Sequence, residues 1–135
     1  MIPLVSIYIG GALTLLLAIF HTRFYRMFNW KIEFEKITII NARIIYTVHL
    51  ALLLLFYMIG IISIVYVKEL SQSIGLAFGF NSLFSIFWLW RFIWQYAYFK
   101  REKGQKLPPI GIVLIIVFAL LFVSYFIPVV YLFLQ

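Results

Sequence analysis

The chain has 135 residues, 66% hydrophobic, 21% aromatic and only 11% charged, with a formal charge of +7. Soluble domains carry about 45–50% apolar and about 25% charged residues, so a water-soluble globule is excluded and lipid is the expected solvent for a single domain over 1–135. Cysteine is absent, which removes disulfides, thiolate metal sites, iron–sulfur clusters and cysteine nucleophiles.

Taken in chain order, the first expected span covers about 2–22, an uninterrupted apolar stretch. No basic segment precedes it and no small-x-small cleavage site follows, so a retained span is expected rather than a signal peptide. Gly10, Thr14, Ala18 and His21 fall on one stripe of this helix. Small residues four apart let helices approach closely, so His21 continues the face expected to be buried.

The connection "RFYRMFNWKIEFEK" interleaves aromatic and charged residues in the manner of a segment lying in the headgroup layer. The second span, about 39–67, carries Ala42, His49, Phe56, Gly60 and Ser63 on one stripe. If the connection turns near Glu35, His21 and His49 come to similar depth on neighbouring helices. "SQS" at 71–73 marks a short turn into the third span, about 73–99.

The third span contains "FWLWRFIWQ", in which Arg91 and Gln95 stand among five aromatic residues. Asn81, Phe84, Trp88, Arg91 and Gln95 share one stripe, and Gly75, Gly79, Ser82 and Ile86 lie nearly opposite. Gly75 and Gly79 are the expected close-packing pair. An ionisable residue within a span marks a functional site by default. Two placements fit Arg91: inward, toward His21, His49, Tyr46 or Asn41, or snorkelling to the headgroups with cation–π contact to Trp88 or Trp94. "LPP" at 107–109 then starts a fourth span, about 110–134, whose polar groups are only Ser124, Tyr125 and Tyr131. It is expected to pack.

The basic residues divide sharply. Arg23, Arg26, Lys31, Lys36 and Arg43 accompany the first connection, and Arg91, Lys100, Arg101, Lys103 and Lys106 the third; the second holds Lys68 alone. Basic residues mark the cytoplasmic side. The expectation is an all-α, integral-membrane, up-and-down bundle of four transmembrane helices in the plasma (inner) membrane, with both termini outside. Backbone groups in lipid must bond within their own segment, which makes each span helical. The charge bias weighs against dual-topology families such as small fluoride channels. Small multidrug exporters also need a carboxylate within a span, whereas Glu33, Glu35, Glu69 and Glu102 all lie in connections.

"AIFHTRFYRMFNW" (18–30), "INARIIYTVHL" (40–50) and "FWLWRFIWQ" (87–95) together resemble small four-helix inner-membrane proteins of bacteria that carry no assigned activity. The resemblance spans about the first hundred residues and implies that the histidines, Asn41, Arg91 and Gln95 belong together. The acids form no catalytic set, so no enzyme is expected. The expected function is non-catalytic: His21, Asn41, His49, Arg91 and Gln95 bind a lipid-like or small polar ligand, or a partner protein. Membrane lipids are expected partners, with a homo-oligomer as a further one and nucleic acid as none. Alternatives are an oligomeric transporter or channel joined through Gly75 and Gly79, and a haem or divalent metal held by His21 and His49, although two histidines fall short of a zinc ligand set.

Overall fold

The structure is a computed structural model that describes residues 1–98 and 108–134. Among these residues every regular element is helical: α1 (Ile2–His21), α2 (Phe24–Met27), α3 (Trp30–Glu33), a 3₁₀ turn (Phe34–Lys36), α4 (Ile39–Val65), α5 (Val67–Gln72), α6 (Leu76–Tyr98) and α7 (Pro109–Leu132). Four of them, α1, α4, α6 and α7, are long and apolar enough to cross a membrane. The third connection, with Lys100, Arg101, Glu102, Lys103 and Lys106, lies outside the described residues, as does the expected end of the third span at Phe99.

The helix ends follow local chemistry. Pro3 stands in the first turn of α1 and Pro109 opens α7, where a missing N–H costs nothing. Thr38 caps α4, its hydroxyl accepting from the Asn41 N–H at 3.4 Å. The second long helix ends earlier than the sequence suggests, at Val65, because Tyr66 leaves the helical region at φ −102° and ψ 30°. The chain then folds into α5, a short strap that touches all four long helices. Leu70 of the strap is buried, and its carbonyl accepts from Asn81 Nδ2 of α6 at 2.7 Å.

Consecutive long helices run antiparallel, giving the up-and-down order. Gly10 lies against Ser124 and Tyr125, Gly11 against Ser63, and Trp88 against Phe118. The packing is not a closed ring, however. α1 packs on both α4 and α7, and α7 on α6, but α4 and α6 make no extended backbone contact. They meet through side chains, with Phe56 and Trp88 ring centres 5.5 Å apart. Met1 and Pro3 share a hollow with Ser71, Gln72, Pro128 and Leu132, so both chain ends and the α5 turn occupy one end of the bundle.

Close approach at the centre depends on absent side chains. A Cβ on Gly60 would sit 2.6 Å from Leu15 Cγ and 3.2 Å from the Gly11 carbonyl oxygen. Gly10 and Gly11 serve two neighbours because adjacent helical residues point about 100° apart: a Cβ on Gly10 would meet Ser124 Cβ at 3.0 Å, and one on Gly11 would meet Ser63 Cβ at 2.9 Å. Into this gap comes Tyr125, fully buried, its hydroxyl 2.8 Å from Ser63 Oγ and 3.5 Å from Thr14 Oγ1. Thr14 itself donates to the Gly10 carbonyl at 2.7 Å.

Gly75 and Gly79 behave differently from the other glycines. Gly75 precedes α6, in the turn, at φ +56°, a left-handed conformation that glycine adopts without strain. A Cβ on either residue would meet nothing within 4 Å, so neither packs against another helix of this chain. The outward surface around Gly79 is apolar, with Leu83 and Ile86 each more than half exposed.

These contacts predict an order of thermal stability in detergent. Gly60→Val overpacks the α1–α4 contact and lowers stability by about 1–3 kcal/mol. Tyr125→Phe removes one interhelical hydrogen-bond set and costs about 0.5–1.5 kcal/mol. Gly79→Ala, on an open face, leaves stability unchanged or raises it by about 0.5–1 kcal/mol through helix propensity. Equal melting temperatures for all three variants would contradict this packing.

Candidate functional site

Near the end of the bundle that carries Arg23, Arg26 and Lys31, the four long helices line a partly open cavity of about 370 Å³. α1 contributes His21, α4 Leu52 and Phe56, α6 Phe87, Trp90 and Arg91, and α7 Phe118. The wall is aromatic and aliphatic apart from one imidazole and one guanidinium. It lies on the side where α4 and α6 stand apart.

His21 is buried as the last residue of α1. Its Nδ1 lies 2.8 Å from the Leu17 carbonyl oxygen, which can only accept, so Nδ1 carries the proton and Nε2 is left for another partner. The ring stacks on Phe24 at 4.2 Å between centres and meets Phe56 edge-on at 5.1 Å. His49, also buried, lies nearly parallel to His21 with centres 6.1 Å apart. Phe24 stacks on His49 as well, at 5.6 Å, and Trp30 meets it edge-on at 4.8 Å. The two histidines are therefore neighbours at one depth, and α2 and α3 close over them with aromatic rings.

Arg91 faces the bundle. Its guanidinium carbon sits 4.8 Å from the centre of Phe118 and 5.8 Å from that of Trp90. These are not the rings that the sequence suggests. Trp88 turns inward and stacks against Phe118, while Trp94 stacks on Trp90 along the outside of α6. Among the described residues the one ion pair joins Lys36 to Glu33, at 2.7 Å on the surface, and Arg91 has no carboxylate partner.

The remaining expected members divide. Gln95, one turn beyond Arg91 on the same face, is buried. Asn41 is exposed on the first turn of α4 and lies outside the cavity. Tyr46 is also exposed and stacks edge-on against Tyr25. Phe24, Trp30 and Phe118 were absent from the expected set. The alternation of rings and charges in the first connection was a signal for Phe24 and Trp30, whereas Phe118 sits in a run so uniformly apolar that nothing marks it.

The donor set permits limited chemistry. Among the described residues no third imidazole or carboxylate joins the histidines, whose ring planes lie within 20° of parallel. Arg91 supplies up to five fixed N–H donors and a permanent positive charge, suited to a planar or tetrahedral anion. With Nδ1 protonated, His21 Nε2 supplies one acceptor in the neutral ring and a donor only in the imidazolium. No family model, curated protein or solved structure matches the chain.

The seat of the guanidinium predicts a measurable coupling. In a double-mutant cycle with Arg91→Met and Phe118→Leu, followed by thermal unfolding, the interaction energy is about 0.5–2 kcal/mol. Additive effects would mean that Arg91 does not rest on that ring.

Proposed function

We propose that this chain is a multi-pass protein of the plasma (inner) membrane that binds an anionic ligand, lipid-like or small and polar, in the cavity between its four long helices, without catalysis. The observation that carries the reading is the half-buried Arg91 guanidinium, which shares an otherwise apolar cavity with His21 and has no carboxylate partner among the described residues. A charge desolvated without a counter-charge is costly. An anionic ligand group supplies the missing charge and accepts charge-assisted hydrogen bonds. His21 Nε2 accepts a hydrogen bond from a hydroxyl or amide elsewhere on the ligand, and His49 with Phe24 holds the His21 ring in place.

The membrane setting rests on the exterior. All four long helices turn broad apolar faces outward, and an exposed apolar surface of this extent favours a membrane over water. The division of basic residues supports a topology with the Arg23–Lys36 connection in the cytoplasm and both termini outside. Because the chain lacks cysteine, single substitutions report the sides directly. Ser71→Cys in intact cells is expected to react with a membrane-impermeant maleimide, and Lys31→Cys only after lysis. The reverse pattern sinks the topology.

For the site, the test is native mass spectrometry of the protein released from its own membranes. A reproducible additional mass is expected on the wild type, and its loss in His21→Ala and in Arg91→Gln. A wild type that is bare under conditions retaining ligands on a control protein overturns the ligand reading.

A second reading has one observation in its favour. Gly79 presents its bare backbone to the outside between exposed apolar side chains, a surface suited to a second copy. Disulfide crosslinking of Gly79→Cys in native membranes is expected to trap a dimer if this face is used, and a strict monomer removes it.

A further inference from the structure

From the gap between α4 and α6 we infer that the ligand is a membrane phospholipid with an anionic headgroup, its phosphate on Arg91 and one acyl chain lying in the seam between the two helices. The inference rests on the cavity reading above and names the occupant.

Three features converge on it. First, the cavity at Arg91 lies on the seam that α4 and α6 leave open, so its apolar wall at Leu52, Phe87 and Trp90 joins the apolar exterior of the bundle. A free phosphate gains nothing from such a wall, whereas an amphiphile uses both parts. Second, the seam continues. Phe56 and Trp88 meet across it, and toward the strap a second hollow of about 560 Å³ lies between α4, α5 and α6, lined by Ile62 of α4, by Leu76, Ala77 and Phe80 of α6, and by Glu69, Leu70 and Gln72 of α5. An acyl chain spans about half of a ~30 Å hydrocarbon core, or roughly ten residues of helix rise. A phosphate on Arg91 therefore sets the tail against Phe84 and Phe80, at the edge of that second hollow. Third, the charge is in the right place for a headgroup. Arg91 stands seven residues, about 10 Å along the axis, before Tyr98, the last described residue of α6, toward the end of the bundle that carries the first basic connection.

A second copy of the chain is the less suitable occupant. Glu33, Glu35 and Glu69 all lie in connections or the strap rather than in a long helix. A neighbouring copy therefore brings apolar surface to the seam but no described carboxylate to the depth of Arg91.

The experiment uses the full chain in a neutral detergent, offered phosphatidylglycerol and phosphatidylcholine of matched chains and examined by native mass spectrometry. Phosphatidylglycerol is expected to be retained about tenfold over phosphatidylcholine, because both present a phosphate to Arg91 but the choline cation of the second offsets its charge. Arg91→Gln brings the ratio near one, and Arg91→Lys keeps most of it. A photoactivatable phosphatidylglycerol with its reactive group in mid-chain is expected to label wild-type peptides of α4 and α6 around Phe56, Phe80 and Phe84, a readout that needs no variant to fold. Equal retention of the two lipids, an unchanged ratio in Arg91→Gln, or labelling spread over α1 and the outer face of α7 overturns the proposal. A retained non-lipid mass that disappears in His21→Ala leaves the cavity a ligand site and overturns only the lipid assignment. A dimer carrying no lipid overturns it in favour of a second copy in the seam.

Discussion

The phenol of Tyr125 enters the bundle from α7 and finds its hydrogen-bond partners on α4 and α1, at Ser63 and Thr14. A buried hydroxyl left without partners costs about 1–3 kcal/mol, so these helices hold the positions that satisfy it. The ring needs room, and Gly10, Gly11 and Gly60 supply it by removing side chains where α1 meets its neighbours. Much else follows from this centre. With α1 wedged between α4 and α7, and α6 held to the far side of α7, α4 and α6 are left without extended backbone contact and meet through side chains such as Phe56 and Trp88.

That gap is where the structure departs from a filled four-helix core. Elsewhere the interior is aromatic and close, with Trp88 in contact with both Phe56 and Phe118. Toward the basic end the same helices diverge around Arg91 and His21. The histidines are tied to the first connection by Phe24 and Trp30, so α2 and α3 form a lid of rings over that end. The polar groups of the cavity are thus fixed by packing from two directions, α7 beneath the guanidinium and the connection above the imidazoles.

Much of this is visible in the residues themselves. Small residues four apart on the first two long helices mark faces that are buried, and the long, predominantly apolar runs mark the four long helices. The stripe through Asn81, Trp88 and Gln95 marks the inner face of α6. Other features leave little trace. Tyr125 looks like one more ring in an apolar run, because what distinguishes it is the pair of hydroxyls brought to it by other helices. Tyr66 ends α4 through its backbone, and no proline or glycine announces it. Gly75 and Gly79 read as a packing pair by spacing, yet spacing cannot distinguish a turn glycine from a helical one. Asn41 shares a stretch of sequence with the histidines, but it lies two turns of helix from His49 and on the exposed surface. The separation of α4 from α6 is a property of three-body packing, and no pairwise pattern in the sequence encodes it.

The open seam also has a mechanical side. α1 with α4, and α6 with α7, form two antiparallel hairpins that share one interface, α1 on α7, and one strap, α5. A structure joined along one line and tethered at one end is stiff against sliding and soft against splaying. Splaying would widen the seam at the basic end against the ring contacts that Phe24 and Trp30 make with the histidines, while α5 tethers the end that holds both chain termini. The Ser63–Tyr125–Thr14 contact lies between them and acts as the fulcrum. The bundle is thus built as a clip whose jaws are α4 and α6.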